Sequence, residues 1–234
     1  LIVIMSLICL SSIKSQTSIY GIGKLKLGSP TSLISELGIN SEIQIVSKKT
    51  DYVLNVAMHY SGSKVYEIVC DTLKGPRIYE SYYNPNVRFY YITDYEIVPG
   101  LKVQGLELRF YKNSLYSIKC NASPNLEEAL TLKYGKPEKI LDSKNNEFTY
   151  TYTGAKVIKT DISEVTNWKM NSDNVKCKMI LMKWHNNKGV ENVKYDFEFS
   201  DISHDEEISS IEAKLKLYFK DKEISKKKNS LVGF

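Results

Sequence analysis

The amino-acid sequence predicts an α+β fold: a mainly antiparallel β-sheet built from hairpins, with two short capped helices. Three observations predict it. Apolar and polar residues alternate with period two through much of the chain, as in residues 102–110 and 115–120. Turn signals rich in Gly, Asn and Ser separate these runs. Two helical patterns declare themselves by their ends, and they do not alternate with the strands as a parallel βαβ architecture requires.

The first helix is expected from Ser29 as N-cap and Pro30 in the first turn, where a missing N–H costs nothing. Leu33, Ile34 and Leu37 form its apolar stripe, and Gly38 supplies a left-handed stop. The second starts at Ser123-Pro124 or at Asn125, which with Glu128 approximates a capping box. Leu126, Ala129, Leu130 and either Leu132 or Tyr134 supply its buried face, and Gly135 and Pro137 end it.

The strands follow from alternation bounded by turns. Residues 52–58 and 64–70 flank the hairpin signal at residues 60–63, and residues 87–98 run up to Pro99-Gly100. Residues 102–110 and 115–120 are joined by Tyr111-Lys112-Asn113-Ser114. Further strands are expected at 147–152, 155–161, 176–185 and 193–199, with a turn over residues 186–189. Residues 208–219 fit two patterns. Ile208, Ile211, Leu215 and Tyr218 make a helical stripe, whereas Ala213, Leu215, Leu217 and Phe219 alternate as a strand. An internal echo decides for the strand: Leu106-x-Leu108-x-Phe110 followed by Leu115 recurs as Leu215-x-Leu217-x-Phe219 followed by Ile224. A hairpin turning at Asp221-Lys222 is therefore expected.

At 234 residues the chain is long enough to bury about 70% of its unfolded surface without a disulfide or metal. Residues 1–10 are an apolar run followed by a short polar stretch, which predicts a secretory signal peptide over 1–15, truncated at its front, with cleavage before Gln16. Ten apolar residues cannot cross a hydrocarbon core of about 30 Å. Bulky Ile8 before Cys9 argues against lipidation. Residues 16–234 are expected to form one α+β domain, the alternative being two similar halves over 16–137 and 138–234. Removing the signal leaves Cys70, Cys120 and Cys177, an odd count that predicts buried free thiols rather than a disulfide framework.

The formal net charge is +5, but residues 211–234 hold seven Lys against three acidic residues, which is +4 of it. The chain has three Arg (Arg77, Arg88 and Arg109), so no nucleic-acid partner is expected. The three histidines, His59, His185 and His204, lie in no metal-ligand spacing, and no cofactor or metal is expected. Cys177 and His185 share strand parity but stand too far apart to act as a pair. Glu127 and Glu128 suit the positive end of a helix, and residues 201–207 (DISHDEE) read as a solvated acidic loop. Trp168 and Trp184 are expected in the core. The best candidate binding surface is the aromatic interval with its arginines: Arg77, Tyr79, Tyr82, Tyr83, Arg88 and Tyr91.

Phe110…Leu115-x-x-Ile118, then Leu126-x-x-Ala129-Leu130-x-x-Lys133-Tyr134-Gly135-Lys136-Pro137, then Trp168, resembles a pattern in uncharacterised exported bacterial proteins. Residues 26–38 are similar to a helix of small periplasmic α+β modules such as the outer-membrane assembly lipoprotein family, although the lipidated cysteine of that family is missing. These resemblances imply an exported scaffold and carry no catalytic residues to transfer. The function expected is a non-enzymatic binding or interaction module of the cell envelope, periplasmic or secreted, with a protein or glycan partner. Two alternatives are a hydrolase assembled from distant residues, such as His185 with Asp201 or Glu198, and an inhibitor or immunity-like protein docking through an edge strand.

Overall fold

Strands that alternate apolar and polar residues pair into a sheet with one side to be covered and one left to water. The computed structural model of the protein, which describes residues 20–40, 42–46, 63–69, 82–149, 154–186 and 188–231, contains that sheet. The elements are β1 (Gly21–Ile22), β2 (Leu25–Lys26), α1 (Leu33–Glu36), β3 (Gln44–Val46), β4 (Val65–Ile68), β5 (Val87–Val98), β6 (Leu101–Tyr111) and β7 (Ser114–Asn121). They continue with α2 (Pro124–Tyr134), β8 (Glu138–Thr149), β9 (Lys156–Trp168), β10 (Val175–His185), β11 (Glu191–Asp201) and α3 (Asp205–Leu231). Strands β3 to β11 form one nine-stranded sheet in the order β3-β4-β5-β6-β7-β11-β10-β9-β8. All neighbours are antiparallel except β3 and β4.

The sheet consists of two antiparallel runs, β4-β5-β6-β7 with β3 parallel at its edge and β8-β9-β10-β11, joined because the last strand returns to pair with β7. Lys112 and Asn113 turn the β6–β7 hairpin with φ of 48° and 66°, the left-handed pair that matches the twist of the flanking strands. On one face a row of mutually opposed residues crosses six strands: Tyr90, Leu108, Ile118, Phe199, Cys177 and Trp168. All six are buried in one continuous core. Helix α2 lies over this dry face with Leu126 and Leu130, beside Leu33, Ile34 and Leu37 of the N-terminal segment.

Helix α2 follows its sequence signals closely. Ser123 is the N-cap, its hydroxyl accepting from Leu126 N at 3.2 Å, and Pro124 opens the first turn. Gly135 closes it at φ 85°. Tyr134, not Leu132, faces inward: its hydroxyl donates to Gly21 O at 2.7 Å and accepts from Gly21 N at 3.0 Å, which pins β1 to the end of the helix. Leu132 is 83% exposed. Helix α1 begins at Leu33 rather than after Ser29, because residues 30–35 run through i→i−3 turns. Ser29 instead accepts from Leu115 N through its carbonyl, so the segment is held to the sheet by backbone pairing.

Four further expectations fail. Residues 208–219 are not a hairpin but part of α3, a 27-residue helix, so the described residues hold three helices and the echo of residues 106–115 carries no structure. Lys, Glu, Leu and Ala favour the helix, Asp205, Glu206 and Glu207 fill its first turn, and nothing near Asp221 breaks it. The acidic stretch is thereby a helix start rather than a loop. Strand β8 begins at Glu138, nine residues before the predicted 147, and β9 runs on to Trp168. An edge strand open to water needs no apolar alternation, and β8 shows none. Trp184 is 40% exposed rather than core, whereas Trp168 is buried. The expected strand at 52–58, residues 60–62 of its turn and Cys70 lie outside the described residues.

Phe199 is fully buried where α2, β7 and β10 meet. Phe199→Ala should cost about 3–5 kcal/mol, while Leu132→Ala on the same core-covering helix should stay within about 0.5 kcal/mol. Urea denaturation midpoints of the two variants provide the comparison.

Candidate functional site

The face opposite the core is built by the same alternation, one residue out of step. Here the opposed residues crossing the central strands are Tyr91, Glu107, Lys119, Glu198 and Lys178. Charge alternates along this row over β6, β7, β11 and β10. Glu198 sits between two lysines, with Lys119 Nζ at 3.2 Å from one carboxylate oxygen and Lys178 Nζ at 3.1 Å from the other. Burial alone would raise the pKa of Glu198, but Lys119 and Lys178 outweigh it and hold the carboxyl below the usual range.

Arg109 anchors the next position along β6. Its Nη2 donates to Glu107 at 2.8 Å, and its guanidinium lies between the rings of Tyr82 and Phe89, 5.8 and 5.1 Å from their centroids. Its Nε is buried and has no hydrogen-bond partner among the described residues. Opposite Arg109 stands Ser117, which is paired in turn with Ser200. These two small buried residues leave room for the start of α3, and Ile208 packs there on Tyr111 and Tyr116. Burial raises the pKa of Asp205 in the same first turn.

The result is an open groove of about 590 Å³ along the wet face, floored by Glu107, Lys119, Asp196 and Glu198 and edged by Ile180 and Met182. Gly105 lies in its wall with φ +62°, and a Cβ there would approach the Tyr91 hydroxyl to 3.4 Å. A smaller recess of about 270 Å³ shares Arg109, Lys119 and Glu198 and reaches under α3.

The candidate residues named from sequence are divided by this geometry. Tyr82 lines the recess under α3, and the Tyr91 hydroxyl lies beside Gly105 in the groove wall. Tyr83 turns away: its ring stacks on Phe219 of α3 at 5.2 Å and its N–H donates to Glu212 at 2.9 Å. Arg88 has the opposite strand parity to Tyr91 and forms a two-pronged ion pair with Glu67, at 2.9 and 3.1 Å. Phe89, Tyr90 and Tyr95 of the same interval are buried. Arg77 and Tyr79 lie outside the described residues. The groove residues Glu107, Arg109 and Lys119 were not among the candidates named from sequence, and Glu198 was named only as a possible partner of His185. Each is a polar member of an amphipathic strand; the β6–β7 hairpin sets Glu107 and Arg109 beside β7, and the pairing of β7 with β11 brings in Glu198.

His185 finds a carboxylate, but not Asp201 or Glu198. Its Nδ1 and its backbone N–H both meet Asp161 Oδ1 at 2.9 Å, and Asn146 holds the other oxygen of Asp161 at 2.6 Å. The His185 bonds chiefly hold the Asp161 carboxyl below its ordinary value. This cluster sits at the far end of β8, β9 and β10, away from the groove. Cys120 and Cys177 are free and buried, and burial pushes both thiols up to about 12. Among the described residues no group of His, Cys, Asp and Glu could hold a metal ion, and no helix is long and apolar enough to cross a membrane. Comparison with protein-family models, with curated proteins and with solved structures finds no match for this chain.

The depressed Glu198 pKa sets a pH signature. Its contribution to stability is present above the unfolded carboxyl value of about 4.3 and is lost as pH falls through the lower folded value. Glu198→Gln should therefore lower stability near neutral pH by about 1 kcal/mol, the low end for a charged pair that solvent reaches. The gap from wild type should close below about pH 4, which thermal melts across pH 3–7 will test.

Proposed function

We propose that the protein is an exported, non-enzymatic binding module of the cell envelope, which holds an extended, mixed-charge segment of a partner protein in the groove of the wet sheet face. The observation that carries this reading is the charge row Glu107, Lys119, Glu198 and Lys178, presented on four adjacent strands beside Arg109, whose Nε has no partner among the described residues. A rigid sheet positions such groups more firmly than loops do, and alternating charge favours a peptide with both signs over a uniformly charged polymer. Tyr82 adds ring surface in the adjoining recess and Tyr91 beside the Gly105 wall. The groove charges are committed to ion pairs and the two buried thiols are held protonated, which suits recognition better than proton transfer or nucleophilic attack. The N-terminal apolar run and the resemblance of residues 110–137 to exported bacterial proteins support the envelope location.

A second reading, a hydrolase, is favoured by one observation. The His185–Asp161 bond orients an imidazole as a general base requires. Ester or amide hydrolysis that disappears in His185→Ala would establish it.

The binding reading is tested by recovery of a partner from envelope extract with wild type, Lys119→Glu and the opposite-face control Glu128→Lys. Lys119→Glu should reduce recovery about tenfold, high salt should weaken it, and Glu128→Lys should leave it unchanged. Equal recovery by all three proteins would clear the groove of any role.

A further inference from the structure

Strand β8 is the outer edge of the sheet, and among the described residues nothing pairs with its free side. It is twelve residues long and exposed along most of that length, with Ile140 and Leu141 at 54% and 66%. A long open edge is a template for another strand, and charges on such a strand ordinarily serve to repel one. Here the order of the charges does the opposite.

We propose that β8 pairs with β8 of a second copy of this chain, antiparallel about a two-fold axis through Ser143. An antiparallel pair of identical edges admits registers only in steps of two, because the backbone groups of alternate residues point back toward β9. A two-fold axis must therefore pass through a residue, and the charges choose which. Centring on Asp142 or on Lys144 sets like charges face to face on the axis. Centring on Leu141 or Asn145 shortens the ladder. Centring on Ser143 matches residues 138–148 along nearly the whole strand. It places Asp142 opposite Lys144 twice, Lys139 opposite Glu147 twice, and no like charges opposite each other.

Asp142 and Lys144 carry the argument, since neither has an ion-pair partner among the described residues. Lys139 and Glu147 already have partners in the chain, Glu127 and Glu164 for the lysine and Lys156 for the glutamate, and the register is compatible with both. Ser143 meets itself on the axis. Directly opposed Cα atoms in an antiparallel pair stand about 4.5–5.5 Å apart, inside the range that a disulfide spans.

The test has two parts, both on the purified protein. Sedimentation equilibrium should give a concentration-dependent species of twice the monomer mass. Asp142→Lys should weaken that association about tenfold, and Asp142→Lys/Lys144→Asp should restore it. Under mild oxidation Ser143→Cys should form a covalent dimer, while wild type and the out-of-register Asn145→Cys should not. Circular dichroism confirms that each variant is folded. A wild type that stays monomeric at high concentration would overturn the proposal. So would a dimer indifferent to Asp142→Lys, or Ser143→Cys cross-linking no faster than Asn145→Cys.

Discussion

Strand parity is the constraint on which everything else in this molecule rests. Across eight antiparallel strands each residue is assigned to one face of the sheet, and the register ties each assignment to its neighbours. Ile118 and Lys119 are adjacent in sequence, yet one lies in the row that runs from Tyr90 to Trp168 and the other in the row from Tyr91 to Lys178. A slip of one residue between β7 and β11 would carry Phe199 into water and Glu198 into the core, so apolar burial itself enforces the pairing. The core and the charged groove are two consequences of one register.

That dependence explains why the wet face is so heavily paired in charge. Charged groups on a sheet face sit about 5 Å from their cross-strand neighbours, and like charges there would strain the register that the core demands. Alternating sign removes the conflict. Arg109 is one exception, because its neighbour across β7 is Ser117 and its partner Glu107 comes from its own strand. The small residue makes space for α3, and the arginine is held instead by two aromatic rings.

Most of the fold was legible in the sequence because its central strands carry strong local signals. The β6–β7 hairpin and α2 could be placed by alternation, an Asn-containing turn, a Ser-Pro cap and a Gly stop. Strand β8 was less legible, since Glu138 to Thr149 is wet on both sides and alternation reports burial, not strand conformation. Helix α3 was misread for a related reason. It is anchored by Ile208 and by contacts from Glu212 and Phe219 to residues 83 and 84, while Leu217 and Tyr218 remain exposed, so its apolar stripe is diluted. The groove was illegible in principle: Lys119 and Glu198 are far apart in the chain, and no local pattern announces that their strands are neighbours. The aromatic interval drew attention to Tyr82 and Tyr91, but its most conspicuous rings are core.

The position of β11 also has a consequence in time. The ribosome delivers the chain from its N-terminus at about 5–20 residues per second, so β5, β6 and β7 exist for roughly 4–16 seconds before β11 is complete. Through that interval the free side of β7 is an open edge, and the apolar row at Leu108 and Ile118 waits for Phe199. Helix α2 emerges first, directly after β7, and its Leu126 and Leu130 belong to that same core. The order of elements along the gene thus supplies a temporary cover before the permanent neighbour arrives, and a pause in synthesis just before α2 would leave the nascent protein at its most aggregation-prone.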